Sequence, residues 1–171
     1  MNNYIKHLVE TFDFSSANNG KKSINAVDIL IKDIVYRIID TGRLDTKDMH
    51  FILSLPDASY KANNNEIHSL VTNCVKIFGD DCNLNWIDVS NVTNMGMLFE
   101  DSTFNGDISN WDVSNVTDMG AMFRSSKFKG DISNWNVSNV IYMDWMFSGT
   151  LFNSDISKWN VSNVTDMHRM F

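Results

Sequence analysis

The chain has only one proline, Pro56, and only two cysteines, Cys74 and Cys82, among its 171 residues. Two cysteines are too few for the disulfide framework of a small secreted domain, and a chain of this length can bury a core without one. Basic residues are also scarce, because 14 Lys and Arg stand against 21 Asp and Glu, for a formal net charge of −7. An acidic surface repels phosphate groups, so we expect neither nucleic acid nor an anionic membrane as a partner.

Long apolar segments are absent as well. No stretch approaches the ~20 apolar residues of a transmembrane helix, so membrane insertion is not expected. The first ten residues, MNNYIKHLVE, contain no hydrophobic segment of the kind found in secretory signals. We therefore expect a cytoplasmic protein, whereas a natural leader outside the printed sequence would place it at the cell surface.

An internal repeat organises the second half of the chain. The segments DVSNVTNMGMLF, DVSNVTDMGAMF, NVSNVIYMDWMF and NVSNVTDMHRMF begin at residues 88, 112, 136 and 160, at an interval of 24 residues. We number the copies repeat 1 (84–107), repeat 2 (108–131), repeat 3 (132–155) and repeat 4 (156–171). Since one such unit cannot bury its own apolar side chains, the repeat predicts a stacked solenoid of about 3.5 coils.

Within each coil the pattern predicts a short strand followed by a short helix. Residues 107–113 alternate between apolar and polar side chains, which favours a strand. Met119, Met122 and Phe123 have helical spacing, and Thr117 can cap that turn.

Polar residues also recur in fixed columns. One column consists of Asn91, Asn115, Asn139 and Asn163. We interpret it as a ladder of amides that pair with the backbone of neighbouring coils. Glycosylation is the alternative for the three members that begin an Asn-Val-Thr sequon. A second column, Asp107, Asp131 and Asp155, is interpreted as a set of turn carboxylates.

The repeat resembles a known family. The strings DISNWDVSNVTDMGAMF and FNGDISNWDVSNV are similar to the bacterial surface-protein repeat, of about 25 residues, of the BspA-like leucine-rich repeat family. The resemblance spans residues 84–171. It implies a right-handed leucine-rich-repeat-type solenoid that binds proteins, and it implies no reaction. Many members are surface adhesins or lipoproteins, so the repeat region of such a protein is an alternative function.

Residues 1–58 are predicted to be mostly helical, with helices near 5–12, 24–38 and 46–55, although a strand in the first 15 residues is an alternative. A further helix over 64–78, opened by Asn63 and Glu66 as a capping box and ended by Gly79, is predicted within a segment, 59–83, that caps the first coil. Residues 84–171 form the solenoid. The predicted fold class is therefore α+β.

No motif in the chain indicates catalysis, a metal or a cofactor. The four histidines lie in separate segments and lack the spacing of metal ligands. Cys74 lies on the apolar face of its predicted helix, which indicates a buried thiol, and acidic neighbours should raise the pKa of Cys82. We expect no enzymatic activity; an enzyme in the unrecognised N-terminal half is the alternative.

Repeat 3 breaks columns that the other copies keep polar. Its aromatic residues, Tyr142 and Trp145, belong to the types that dominate interface energetics, so a partner-binding patch is predicted there. Packing of both residues on a neighbouring coil or on the N-terminal helices is the alternative. The patch consists of Ile141, Tyr142, Asp144, Trp145 and Leu151, with Arg124, Lys127 and Lys129 either solvated or a rim for an acidic partner.

These features together predict an intracellular protein-interaction module of the inhibitor or adaptor type. Its partner is expected to be a protein, whose identity the residues do not specify. The printed chain stops at Phe171, inside repeat 4. Because an uncovered coil exposes apolar columns, either the chain is a fragment or a homodimer forms through this last coil.

Overall fold

The computed structural model describes residues 33–43 and 59–171. The chain divides into two compact units, Met1–Tyr60 and Lys61–Phe171. In the first unit, residues 33–41 are helical, and the helix ends at Gly42, which has a φ of 57°. Glycine in this left-handed conformation is typical of a helix end. The helices predicted near 5–12 and 46–55 lie outside the described residues.

A short strand spans the boundary of the two units, and one regular helix follows it. The strand Tyr60–Lys61 (β1) pairs with Ile87–Asp88 (β2) in a two-stranded sheet. The helix Ile67–Phe78 lies between them in sequence. Its buried face consists of Ile67, Leu70, Val71 and Cys74. This face has the apolar spacing from which the helix was predicted.

The helix begins at Ile67, three residues after the predicted start at 64, and it ends at Phe78 as predicted. The backbone N–H of Asn63 donates to the carboxylate of Glu66 at 3.1 Å, which is one half of a capping box. At the other end, the N–H of Gly79 donates to the carbonyl oxygen of Val75 at 2.9 Å. Gly79 has a φ of 88°, a value that favours glycine and stops the helix.

The predicted fold class is wrong. Among the described residues, helix is confined to 33–41 and Ile67–Phe78, and sheet is confined to β1 and β2. A mostly helical region over 1–58 is not shown, because only 33–43 of these residues are described. Apart from β2, which lies in repeat 1, the repeats also lack the strand and helix of a leucine-rich-repeat-type solenoid. Each copy is instead a series of turns, joined to the next copy by isolated parallel bridges: Asn94 with Asp118, Asp118 with Tyr142, and Tyr142 with Asp166.

Backbone conformation explains why the predicted helix in each repeat does not form. Ala121, between Met119 and Met122, has a φ of 53°. This left-handed conformation cannot be included in a right-handed helix. The residues in the same column of the other copies have φ values of 60°, 58° and 52°, for Met97, Trp145 and Arg169.

Turns also replace the predicted strand over 107–113. The N–H of Trp111 donates to the carbonyl oxygen of Ile108 at 3.1 Å, which closes a turn within the segment. The N–H of Ser109 donates to the carboxylate of Asp107 at 3.0 Å. Equivalent bonds join Ser133 to Asp131 and Ser157 to Asp155, at 2.9 Å each. The interpretation of this aspartate column as turn carboxylates is therefore confirmed.

Aromatic rings stacked between copies form the core of the repeat region. The ring of Phe123 is buried and stacks on Phe99 at 5.5 Å and on Phe147 at 5.7 Å. In a second column, the rings of Phe104, Phe128 and Phe152 stack in turn, with centroid distances of 6.1 and 6.3 Å. Flat rings at a constant interval thus supply the apolar contact that one short unit cannot provide for itself.

Side chains also link the copies by hydrogen bonds. The amide nitrogen of Asn115 donates to the carbonyl oxygen of Ser90 at 2.9 Å, and Asn139 donates to Ser114 at 2.7 Å. Asn163 makes the same bond one copy later. These bonds confirm the interpretation of the asparagine column as a ladder between neighbouring copies.

Candidate functional site

Repeats 1 to 3, together with Asn64 and with His68 of the Ile67–Phe78 helix, line a shallow groove of about 750 Å³. We call it the Tyr142 groove. Three residues of the predicted patch line it, namely Tyr142, Asp144 and Trp145. The structure therefore brings the aromatic pair and the intervening carboxylate together on one surface.

The carboxylate and amide side chains of the groove are held by tight turns. The N–H of Gly120 donates to the carboxylate of Asp118 at 2.9 Å, and the N–H of Gly96 donates to the side-chain oxygen of Asn94 at 2.8 Å. The amide nitrogen of Asn94 also donates to Asp118 at 3.2 Å. Asparagine and aspartate are thus interchangeable in this column, because both close the same turn.

Gly120 leaves room for two carboxylates at the base of the groove. A Cβ atom added at Gly120 would lie 3.0 Å from an oxygen of Asp144 and 3.3 Å from an oxygen of Asp118. These distances are shorter than ordinary van der Waals contact. The absence of a side chain at this position therefore allows both carboxylates to approach the same stretch of backbone.

The aromatic residues of the groove differ in how far they are covered. The side chain of Tyr142 is 48% exposed, although its backbone bridges to both neighbouring copies. Trp145 is partly buried by repeat 4. Its ring meets the ring of His168 edge-on at 5.9 Å, and the guanidinium of Arg169 lies 4.7 Å from its centroid. Packing on a neighbouring copy, the alternative interpretation, thus describes Trp145 but not the side chain of Tyr142.

The other predicted patch residues lie elsewhere. Ile141 lines a second groove of about 580 Å³, with threonines and asparagines of repeats 2 to 4. Leu151 is 76% exposed and lines neither groove. The predicted patch is therefore not one continuous surface.

The predicted basic rim is also divided. Arg124 lines the Tyr142 groove, where its guanidinium forms an ion pair with Glu100 of the preceding copy. Lys127 and Lys129 are exposed and line neither groove. The side chain of Arg124 is thus already paired within the chain.

Among the groove residues that the sequence analysis did not predict, Asn64 and His68 precede the repeats. The side-chain oxygen of Asn64 accepts hydrogen bonds from the N–H groups of Thr93 and Asn94, at 2.9 and 3.2 Å. The Nε2 atom of His68 donates to the carbonyl oxygen of Gly96 at 2.9 Å. Both residues are exposed and polar. The apolar spacing of the helix therefore carried no signal for their role.

The two cysteines are free thiols. Burial raises the pKa of Cys74, and the neighbouring Cys82 adds to this effect. Burial, together with the charges of Asp80 and Asp81, raises the pKa of Cys82 to about 11. Both thiols are therefore protonated near neutral pH, a state in which sulfur is a poor nucleophile.

Within residues 33–43 and 59–171, no three His, Cys, Asp or Glu side chains are grouped so that they could hold a metal ion. The same part of the chain contains no helix that is both long and apolar enough to span a bilayer.

The repeats and the helix that precedes them match one protein family. Residues 64–171 match the family described as "Mycoplasma protein of unknown function, DUF285". Since this match covers more than half of the chain, the protein belongs to that family. Comparison with curated proteins and with solved structures finds no match.

Proposed function

We propose that this chain is a non-catalytic protein-binding module, of the inhibitor or adaptor type, that holds a protein partner in the Tyr142 groove. The observation that carries the proposal is the exposure of two large side chains there, Met97 at 59% and Tyr142 at 48%. Most of the large apolar and aromatic side chains of repeats 1 to 3 are buried. A tyrosine and a thioether that remain accessible beside a tryptophan supply contact area of the kind that dominates interfaces.

The absence of catalysis is part of the proposal. Its support comes from the state of the groups that commonly carry out reactions. The two thiols are held protonated by burial, and hydrogen bonds from Ser109 hold the pKa of Asp107 below its ordinary value. A carboxylate stabilised in its ionised form is a poor general acid.

The test uses substitutions that the repeats themselves contain. Asparagine occupies the column of Tyr142 at Asn94, and alanine occupies the column of Trp145 at Ala121. The double variant Tyr142→Asn, Trp145→Ala should therefore keep the backbone of repeat 3. We expect the wild type to capture a protein from a lysate of the source organism and the double variant to lose it.

The matched control changes an exposed apolar residue outside the groove. Leu151→Thr introduces the residue found in the same column at Thr103, and this variant should retain the partner. Loss of the partner by both variants, or by neither, would contradict the proposed site. Fluorescence and circular dichroism spectra should first establish that each variant is folded.

A homodimer through the last repeat is a separate proposal. Its support is the exposure of Phe171, at 72%, while Phe147 in the same column is buried. Each copy presents both donors and acceptors to the next copy: the N–H of Phe147 donates to the carbonyl oxygen of Met170, and the carbonyl oxygen of Ile141 accepts from the N–H of Thr165. Two copies meeting at this face would therefore bring such groups together beside the apolar ring of Phe171. Light scattering of the wild type and of Phe171→Ser tests it, and a monomeric wild type would contradict it.

A further inference from the structure

The Tyr142 groove carries negative charge that the chain does not neutralise. Residues 84–171 contain ten acidic and five basic side chains, for a net charge of −5. Asp118 and Asp144 both line the groove. Its one arginine, Arg124, is paired with Glu100. The electrostatic complement of this surface is therefore a cation, and not the acidic partner that the basic rim suggested.

The two carboxylates differ in their hydrogen bonds. Asp118 accepts from the N–H of Gly120 and from the amide of Asn94. Asp144 has no ion-pair partner within residues 33–43 and 59–171. The two flank the backbone of Gly120, where an added Cβ would crowd both. A donor with several N–H groups that enters above Gly120 could thus reach both carboxylates at once.

The walls of the groove fit the remainder of such a side chain. Tyr142 and Met97 offer exposed apolar surface to the aliphatic stem of a long basic residue. Trp145 already has a guanidinium on its ring, that of Arg169 at 4.7 Å. An arginine is therefore chemically compatible with this surface, because its planar head both stacks on aromatic rings and pairs with carboxylates.

We propose that the Tyr142 groove binds an arginine-bearing segment of its protein partner, with the guanidinium between Asp118 and Asp144 and the stem against Tyr142. This inference rests on the proposed function and specifies the chemistry of the partner. Arginine suits the site better than lysine, since a planar fork of donors can serve two carboxylates together.

The experiment titrates the full ¹⁵N-labelled chain with short blocked peptides that differ only in a central arginine, citrulline or glutamate. Citrulline keeps the shape of arginine but lacks the charge. The indole N–H signal of Trp145, assigned from its loss in Trp145→Phe, reports binding in the groove. We expect saturable shifts with the arginine peptide and binding at least roughly tenfold weaker with citrulline, as loss of a charge-assisted pair predicts.

The matched variants separate a specific site from general attraction to an acidic chain. In Asp118→Asn, Asp144→Asn, the first substitution retains the turn, as Asn94 does in repeat 1. This double variant should lose most of the arginine binding. Asp131→Asn removes an exposed carboxylate outside the groove and should leave the binding unchanged.

The inference would be overturned if the Trp145 signal shifted equally with the arginine and glutamate peptides, or did not shift with any peptide. It would also be overturned if Asp131→Asn lost as much arginine binding as the double variant Asp118→Asn, Asp144→Asn. The proposed function is judged separately, by the loss of the captured protein in Tyr142→Asn, Trp145→Ala. A partner lost in that variant together with no arginine binding would retain the proposed function and reject only the arginine. Arginine binding without loss of the partner would reject the proposed function.

Discussion

The side-chain oxygen of Asn64 accepts a hydrogen bond from the backbone N–H of Thr93 at 2.9 Å. One copy later, the corresponding acceptor is a backbone carbonyl, because the oxygen of Thr93 accepts from the N–H groups of Thr117 and Asp118 at 2.8 and 3.3 Å. The asparagine side chain thus replaces, for repeat 1, the backbone of a preceding copy. The N–H groups of Thr93 and Asn94 are therefore satisfied without another repeat.

This replacement predicts that Asn64 stabilises the repeat region. Asn64→Ala removes an acceptor from two N–H groups, so we expect the free energy of unfolding to fall by about 1–2 kcal/mol. Asn64→Asp keeps the acceptor and should cost less. Urea unfolding followed by tryptophan fluorescence is suitable, because all five tryptophans lie beyond residue 85. An equal fall in the free energy of unfolding for Asn65→Ala would contradict the role of Asn64 as the acceptor for repeat 1.

The left-handed residues predict a substitution that should stabilise the chain. Ser125 is exposed and has a φ of 54°, whereas repeat 3 has a glycine, Gly149, in the same column with a φ of 72°. Since a left-handed conformation costs an L-residue more than glycine, Ser125→Gly should raise the free energy of unfolding by about 0.5–1 kcal/mol.

Urea unfolding of Ser125→Gly and of two further variants tests this prediction. Ser133 is absent from the left-handed residues, so Ser133→Gly adds chain entropy without relieving strain and should destabilise. Gly149→Ala should also destabilise, because the new Cβ would lie 3.3 Å from the hydroxyl of Ser125. Stabilisation by both serine substitutions would show that φ is not the cause.

The parts of the fold that could be predicted are those with a periodic signal. The Ile67–Phe78 helix follows from four apolar residues at helical spacing and a terminal glycine. The turns inside each repeat could not be predicted in this way, because alanine, methionine, tryptophan and arginine occupy the left-handed column. None of these residues indicates a positive φ. The sequence therefore has the spacing of a short helix at positions where the backbone is left-handed.

The candidate site was only partly predictable for a similar reason. Comparing columns identified Tyr142 and Trp145, since an aromatic residue replaces a non-aromatic one in a single copy. The same comparison could not tell that Ile141, adjacent to Tyr142, lines a different groove. Neither could it place Asn64 beside the repeats. The hydrogen bond between Asn64 and Thr93 joins residues 29 positions apart, and Asn64 belongs to no repeated column.

The phenylalanine stack predicts that the cost of a substitution depends on position within one column. Phe123 is buried and stacks on rings of both neighbouring copies, so Phe123→Leu should lower the free energy of unfolding by about 1–3 kcal/mol. Phe171 is 72% exposed, and among the described residues it stacks on Phe147 alone. Phe171→Leu should therefore cost less than about 0.5 kcal/mol, as is usual for exposed positions. Equal losses in urea unfolding would contradict a core built by stacking.

Asp112, which also closes a turn, predicts that the repeat region loses stability in acid. Hydrogen bonds from the hydroxyl and the N–H of Ser114 hold the pKa of Asp112 below its ordinary value. Because the folded pKa is the lower one, the stabilisation is complete above the unfolded pKa of about 4 and disappears as the pH falls through the folded pKa. Asparagine closes the same turn in repeat 3, where the N–H of Ser138 donates to Asn136 at 3.2 Å.

Asp112→Asn therefore removes the titration while keeping the turn. At neutral pH we expect the wild type to unfold at a higher urea concentration than Asp112→Asn, because its charged acceptor is the stronger one. The difference between the two midpoints should shrink toward zero as the pH is lowered below about 4, where the wild-type carboxyl becomes protonated. Asn136→Asp introduces the carboxyl into the same column and should steepen the acid loss. A midpoint difference that stays constant from neutral pH into acid would show that the hydrogen bonds from Ser114 do not favour the ionised form.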